Sequence, residues 1–187
     1  GDSRLDSRAL RILLARWNDP SATFGASFPN WADAKGAYNM IENKSPNISM
    51  RTLLSPHAES TQARMAVEPI VLLAQDTTSL NYAGLKQTTG LGAIGSGPAR
   101  GLFLHSLLAF RTDGVLLGVL DAQSWGRYEE PPTDKRTRNA KSIDEKESAR
   151  WMDELRVTAC AARRLPRTQM VVMADRALVG CIPALAL

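Results

Sequence analysis

The sequence contains little cysteine, no long hydrophobic run and only a small excess of positive charge. Its 187 residues include two cysteines, Cys160 and Cys181, which cannot form a disulfide scaffold and indicate a reducing compartment. No apolar stretch approaches the ~20 residues that span a bilayer, which argues against a membrane protein. The net charge of +4 permits an acidic partner such as nucleic acid without requiring one. The hydrophobic share of 44% is that of a globular chain.

The N-terminal third of the chain has helical patterns separated by breaks. Leucines and a tryptophan recur at about 3.6-residue spacing over residues 5–17, which predicts an amphipathic helix. Asn30 is a suitable N-cap for a second helix over 31–42. Ser49 is a suitable cap for a third, which we expect Pro56 to interrupt. These patterns predict a small helical domain.

A change in character at Pro69 marks the expected domain boundary, with a helical domain over 1–68 and a sheet-based domain over 69–187. The second region contains apolar runs typical of buried strands. The step Asp113-Gly114 predicts a hairpin between two of them. The predicted strands are 70–74, 102–110, 115–120 and 170–174.

A capping box over Ser142–Glu145 predicts a helix between the hairpin and the last strand. We expect its core-facing stripe to contain Trp151, Leu155, Ala159 and Ala162. The order strand, hairpin, helix, strand predicts a mixed α/β sheet, since a crossover helix joins parallel strands.

Two buried strands are each followed by one aspartate, Asp76 and Asp175. If the two strands are parallel neighbours, both carboxylates emerge at one edge of the sheet. Such a pair repels itself and is usually held by a divalent cation, for which all-oxygen ligands favour Mg²⁺ or Mn²⁺. The alternative, equally weighted from the pattern alone, is that each aspartate caps the following turn.

Basic side chains form a run that includes Lys135, Arg136 and Arg138. It is a candidate contact for a DNA backbone. A solvated surface loop is the more common explanation of such a run.

Four stretches of the sequence resemble one family, the bacterial insertion-sequence transposases of the DDE cut-and-paste class, in the group of the kanamycin-resistance transposon's enzyme. The stretches are GDSRLDSRAL, VLLAQDTTSLNY, GLGAIGSGPARGLFLHSLLAF, and DEKESARWMDEL with VVMADR. They occur in the family's order and together extend nearly to Arg176.

The resemblance implies an end-binding helical domain followed by a ribonuclease-H-like catalytic core that uses Mg²⁺ or Mn²⁺. Asp76 and Asp175 would be the first two members of the catalytic triad and its metal ligands. Arg4 and Arg8 match basic positions of the end-binding helix, where they lie one turn apart; a solvated helix face is the alternative. The implied partner is double-stranded transposon-end DNA, with full-length transposase or a second copy as a protein partner, in the bacterial cytoplasm at the nucleoid.

The family places its third carboxylate on a Tyr-Arg-Glu-Lys helix beyond an insertion domain, and no such motif follows Asp175 in this sequence. The resemblance stops after Arg176, so we expect a partial catalytic core and weak or no strand transfer by this chain alone. Two alternatives stay open from the sequence: a non-catalytic DNA-binding protein or inhibitor of transposition, and a decayed gene product.

Overall fold

The structure is a computed structural model that describes residues 3–45, 48–85, 87–95, 97–127 and 149–174. By its internal contacts the chain divides into two compact units, residues 1–53 and residues 54–187. The sequence predicts the boundary at 68/69 instead. The two boundaries differ because most of the third helix belongs to the second unit. Within the described ranges, no helix has both the length and the apolar character needed to cross a membrane.

The first unit contains two helices that the sequence predicts. Helix α1 spans Ser3–Asn18 and ends directly before Asp19 and Pro20, while α2 spans Trp31–Ile41 after a 3₁₀ turn over Gly25–Ser27. The α2 cap is confirmed, because the Asn30 side chain accepts a hydrogen bond of 2.9 Å from the backbone N–H of Asp33.

The apolar side of α1 is largely exposed within the described residues. Helix α1 has no buried residue, and Leu13 and Trp17 are 66% and 83% exposed. The periodicity correctly predicts the helix but not what its apolar side faces. The buried positions of the two helices lie on α2, at Ala37 and Met40.

The third helix, α3, spans Met50–Met65 and runs through Pro56 without a break. The predicted cap is confirmed: Ser49 Oγ accepts from the Thr52 N–H at 3.2 Å, and the Ser49 N–H donates to Thr52 Oγ1 at 2.9 Å. The predicted interruption is wrong. Proline lacks the N–H for one helical bond, but Thr61, further along α3, hydrogen-bonds across to the sheet and supports the helix there.

Among the described residues of the second unit, five strands form one mixed sheet. They are β1 (Ile70–Asn81), β2 (Gly92–Ala93), β3 (Arg100–Arg111), β4 (Leu116–Trp125) and β5 (Gln169–Met173). The order is β2-β3-β1-β5, with β4 also paired to β3. All pairings are antiparallel except β1 with β5, which is parallel as predicted.

The predicted hairpin is confirmed at the β3–β4 turn. Gly114 has a φ of +87°, which a glycine adopts without strain, and Asp113 Oδ1 accepts from the Val115 N–H at 3.3 Å. A second positive φ, +148°, occurs at Gly118 inside β4. A Cβ there would collide with Thr61 and Arg64 of α3, so glycine permits the close approach of helix and strand.

Helix α4 spans Ala149–Arg164 and follows β4 in the chain, as expected from the sequence. The predicted stripe is wrong by about one position, because the buried residues of α4 are Glu154, Thr158 and Ala161. Two of these are polar, so a count of apolar residues could not find this face. The apolar core of the unit consists of Met65, Val71, Leu73, Leu107, Ala109, Leu117, Leu120 and Ala161.

Strand β1 is longer than predicted and is not buried on both faces. It continues past Ala74 to Asn81 because its second half pairs with β3 beyond the end of β5. Val71, Leu73 and Gln75 are buried, while the alternating residues between them are partly exposed. Asp76 therefore lies inside the strand rather than after it.

Candidate functional site

Asp76 lies on the partly exposed face of the sheet. Its Cα partner on β3 is Ser106, and its side chain makes no ion pair within the described residues. The last β1–β5 pair is Ala74 with Met173, so Asp76 stands two residues beyond the parallel pairing. Asp175 lies outside the described residues.

The two neighbours of Asp76 point to the opposite, covered face of the sheet. Thr77 Oγ1 lies 2.7 Å from Nδ1 of His105. The His105 ring is fully buried and meets the Trp151 ring of α4 edge-on, with 4.5 Å between ring centroids. Gln75 is also buried, with 4% exposure. The strand carrying Asp76 is thus held from its covered side by a polar contact.

Burial lowers the pKa of His105 below its usual 6.5. The negative charge of Asp76 raises that pKa and the positive charge of Arg150 lowers it, but burial is the largest influence. His105 is therefore neutral near pH 7. One of its ring nitrogens then carries a proton and can donate a hydrogen bond, while the other can accept one.

Buried polar groups continue from His105 along α4. Glu154 is fully buried and accepts a hydrogen bond of 3.4 Å from the Gln123 amide. Within the part of the chain that the structure describes, the side-chain amide atoms of Gln75, the Thr158 hydroxyl and His105 Nε2 have no hydrogen-bond partner. This cluster is not predicted from the sequence, in which the four-residue spacing of Glu154 and Thr158 is its only signal.

The described residues do not by themselves form a metal centre. Among them, no group of three or more histidine, cysteine, aspartate or glutamate side chains could hold an ion. Asp76 offers a single exposed carboxylate, which as a hard oxygen donor suits Mg²⁺ or Mn²⁺.

The arginines of α1 are engaged within the first unit. Arg8 lies 3.9 Å and Arg11 lies 3.5 Å from the Asp33 carboxylate of α2. The Arg8 guanidinium also covers Gly36, where a Cβ would collide with it, so this side chain is part of the packing between the two helices. Arg4, one turn earlier, is exposed.

An open groove beside α2 is lined by two of the exposed aromatic side chains of this unit, Trp31 and Tyr38. It has a volume of about 540 Å³ and is lined by residues of α2 and of the segment before it: Gly25, Phe28, Asn30, Trp31, Ala34, Lys35 and Tyr38. Trp31 is 72% exposed, and the Lys35 ammonium lies 4.8 Å from its ring centroid. The sequence pattern predicts the helix but does not mark any of these side chains as functional.

A family model described as transposase DNA-binding matches residues 1–45. The matched segment contains α1, α2 and the groove between Gly25 and Tyr38. The match supports a transposase-related protein and a DNA partner. Of the sequence-predicted DNA contacts, Arg4 and Arg8 lie inside the matched segment, while Lys135, Arg136 and Arg138 lie outside the described residues.

Proposed function

We propose that this chain is part of a DDE transposase of the insertion-sequence group named above. Its first unit binds double-stranded transposon-end DNA. Its sheet is the ribonuclease-H-like core that holds Mg²⁺ at Asp76 and Asp175 for cleavage and strand transfer.

Two independent features support this proposal. The family match covers the first unit and concerns DNA binding by transposases. The second unit has the element order that the resemblance implies, with antiparallel strands that include the β3–β4 hairpin, then a helix, then a strand parallel to the first.

The register between β1 and β5 carries the catalytic part of the proposal. The two strands are parallel, and Ala74 pairs with Met173. Along the chain, Asp76 follows Ala74 by two residues and Asp175 follows Met173 by two residues. Equal offsets from a paired position are what a shared carboxylate site on neighbouring parallel strands requires.

The two carboxylates would hold the cation and orient it toward a DNA phosphate. Bound Mg²⁺ supplies an activated water or hydroxyl and stabilises charge at the phosphate. The chain's own part is to hold Asp76 in place, and the pairing of Asp76 with Ser106 of β3 together with the neighbouring Thr77–His105 contact does so.

Gel-shift and nicking assays on a plasmid fragment carrying insertion-sequence ends test the proposal. We expect binding that weakens with salt. We also expect Mg²⁺- or Mn²⁺-dependent nicking that is weak, because this sequence lacks the family's third carboxylate, and that Asp76→Asn abolishes. Asp113→Asn, in the hairpin turn, is the matched control and should leave both unchanged.

The two readouts separate the proposal from its alternatives. Binding without nicking under any metal condition would contradict the catalytic part and favour a non-catalytic DNA-binding protein or inhibitor. Failure to bind any duplex DNA would overturn the proposal as a whole.

A further inference from the structure

The groove beside α2, which we call the Trp31 groove, is built on a packed aromatic floor. The Phe24 ring meets Phe28 at 5.3 Å and Tyr38 at 5.2 Å between centroids, both edge-on. The Tyr38 hydroxyl lies 3.3 Å from the position a Cβ on Gly25 would occupy, so glycine there keeps the groove's side open. The floor is therefore rigid, while Trp31 above it is largely in solvent.

One cation of the first unit faces this groove, and it is not neutralised there. Lys35 lies over the Trp31 ring and makes no ion pair with a described carboxylate. The arginines of α1 differ: Arg8 and Arg11 share Asp33, and the Arg16 guanidinium donates to the carbonyl oxygens of Pro20 and Ala22. The groove thus presents a positive charge beside a flat apolar surface.

A sugar–phosphate backbone has the complementary chemistry. A phosphate oxygen accepts hydrogen bonds from an ammonium, and the neighbouring deoxyribose offers an apolar face to an aromatic ring. The groove lies inside the segment that matches a transposase DNA-binding family. This combination selects DNA over an apolar protein segment, which would leave Lys35 without a partner.

We propose that the Trp31 groove binds the backbone of duplex DNA, with Lys35 contacting a phosphate and Trp31 packing against the adjacent deoxyribose. This inference rests on the proposed DNA-binding function and assigns its contact surface. Because both contacts are to the backbone, they position the duplex without reading its sequence.

Fluorescence anisotropy of the full chain with a labelled duplex of mixed sequence, measured over a salt series, tests the assignment. Lys35→Gln should weaken binding and reduce the slope of log K against log salt by about 1. Trp31→Ala should weaken binding by about tenfold, and Trp31→Phe should retain most of the affinity. Both wild-type side chains are exposed, so the variants should keep the parent's helical circular dichroism.

Two matched controls lie on the same unit but outside the groove. Trp17→Ala removes a tryptophan of α1 that is at least as exposed as Trp31, and Lys44→Gln removes an exposed lysine beyond α2. Both should bind like the parent. Lys35→Arg keeps the positive charge and should therefore keep the parent's slope of log K against log salt.

The possible outcomes distinguish a failure of the groove assignment from a failure of the proposed DNA-binding function. If the parent binds duplex DNA and the two groove variants bind as the controls do, the groove assignment is overturned while DNA binding stands. Equal losses in groove and control variants, or tighter binding to the matching single strand, would also overturn it. If the parent binds no duplex, the proposed function itself fails.

Discussion

The two units of this chain are stabilised in different ways. In the second unit, side chains such as Leu73 and Leu107 are fully buried between a sheet and its helices. In the first, α1 buries no residue, and its contacts with α2 include ion pairs to Asp33 and a guanidinium over Gly36. The first unit thus leaves apolar and aromatic side chains exposed, while the second unit encloses an apolar core of its own.

This difference predicts which substitutions should change the stability of the chain and which should change its binding. Truncating a fully buried side chain removes apolar burial and leaves a cavity, whereas truncating an exposed one changes little. We therefore expect the second unit to govern the stability of the chain and the first to govern its binding.

The largest effect should come from Leu107→Ala, because Leu107 is fully buried on the central strand. We expect a loss of about 3 kcal/mol in the free energy of unfolding. Leu13→Ala on α1, where the side chain is 66% exposed, should change it by less than about 0.5 kcal/mol. Urea unfolding followed by circular dichroism measures both, and equal losses would remove the contrast between the units.

The next effect concerns the contact between α3 and β4. Gly118→Ala places a methyl group against Thr61 and Arg64 at a backbone φ of +148°, and should cost about 2 kcal/mol of stability. Gly84→Ala is the control, since no atom lies within 4 Å of its added Cβ. Thermal melts compare the two, and an unchanged melting temperature for Gly118→Ala would contradict the observed packing.

A smaller effect should appear as a pH dependence of stability. Burial lowers the pKa of His105 in the folded chain. As the pH falls below about 6.5, the unfolded chain therefore takes up a proton that the folded chain resists, and the free energy of unfolding decreases until the folded pKa is reached.

Urea titrations between about pH 5 and pH 8 test this sign. The double variant Thr77→Val/His105→Phe removes both partners of the hydrogen bond and should flatten the dependence. His57 is present in both proteins, so the difference isolates His105. A steeper acid-side loss in the double variant would contradict the assignment.

The smallest effect lies in the first unit. Asp33→Asn removes the carboxylate that Arg8 and Arg11 share, and should cost about 0.5 kcal/mol, less at high salt because the pairs are partly exposed. Asp153→Asn, which breaks a pair within α4, is the comparison. Chemical denaturation at low and high salt checks both, and a salt-independent loss would exclude an ionic origin.

The sequence predicts elements of this fold where local patterns decide the structure. Asn30, Ser49 and the Asp113-Gly114 turn act as predicted, because capping and turn formation depend on adjacent residues. The length of β1 does not follow from its apolar run. Its polar half up to Asn81 becomes a strand because β3 supplies a partner from a distant part of the chain.

The candidate site also has features that the local sequence predicts and features that it does not. The apolar strand before Asp76 predicts the motif around it, and β5 is the expected parallel neighbour. The attachment of Arg8 to Asp33 and the exposure of Trp31 depend on how two helices pack, which residue spacing within one helix does not encode. Asp175 stays a prediction outside the described residues.

The most direct test of the central claim is a calorimetric titration of the chain with Mn²⁺. The account predicts a saturable site that both Asp76→Asn and Asp175→Asn weaken strongly, while Asp113→Asn leaves it intact. Equal Mn²⁺ binding by the parent and both aspartate variants would contradict a site shared by the Asp76 and Asp175 carboxylates.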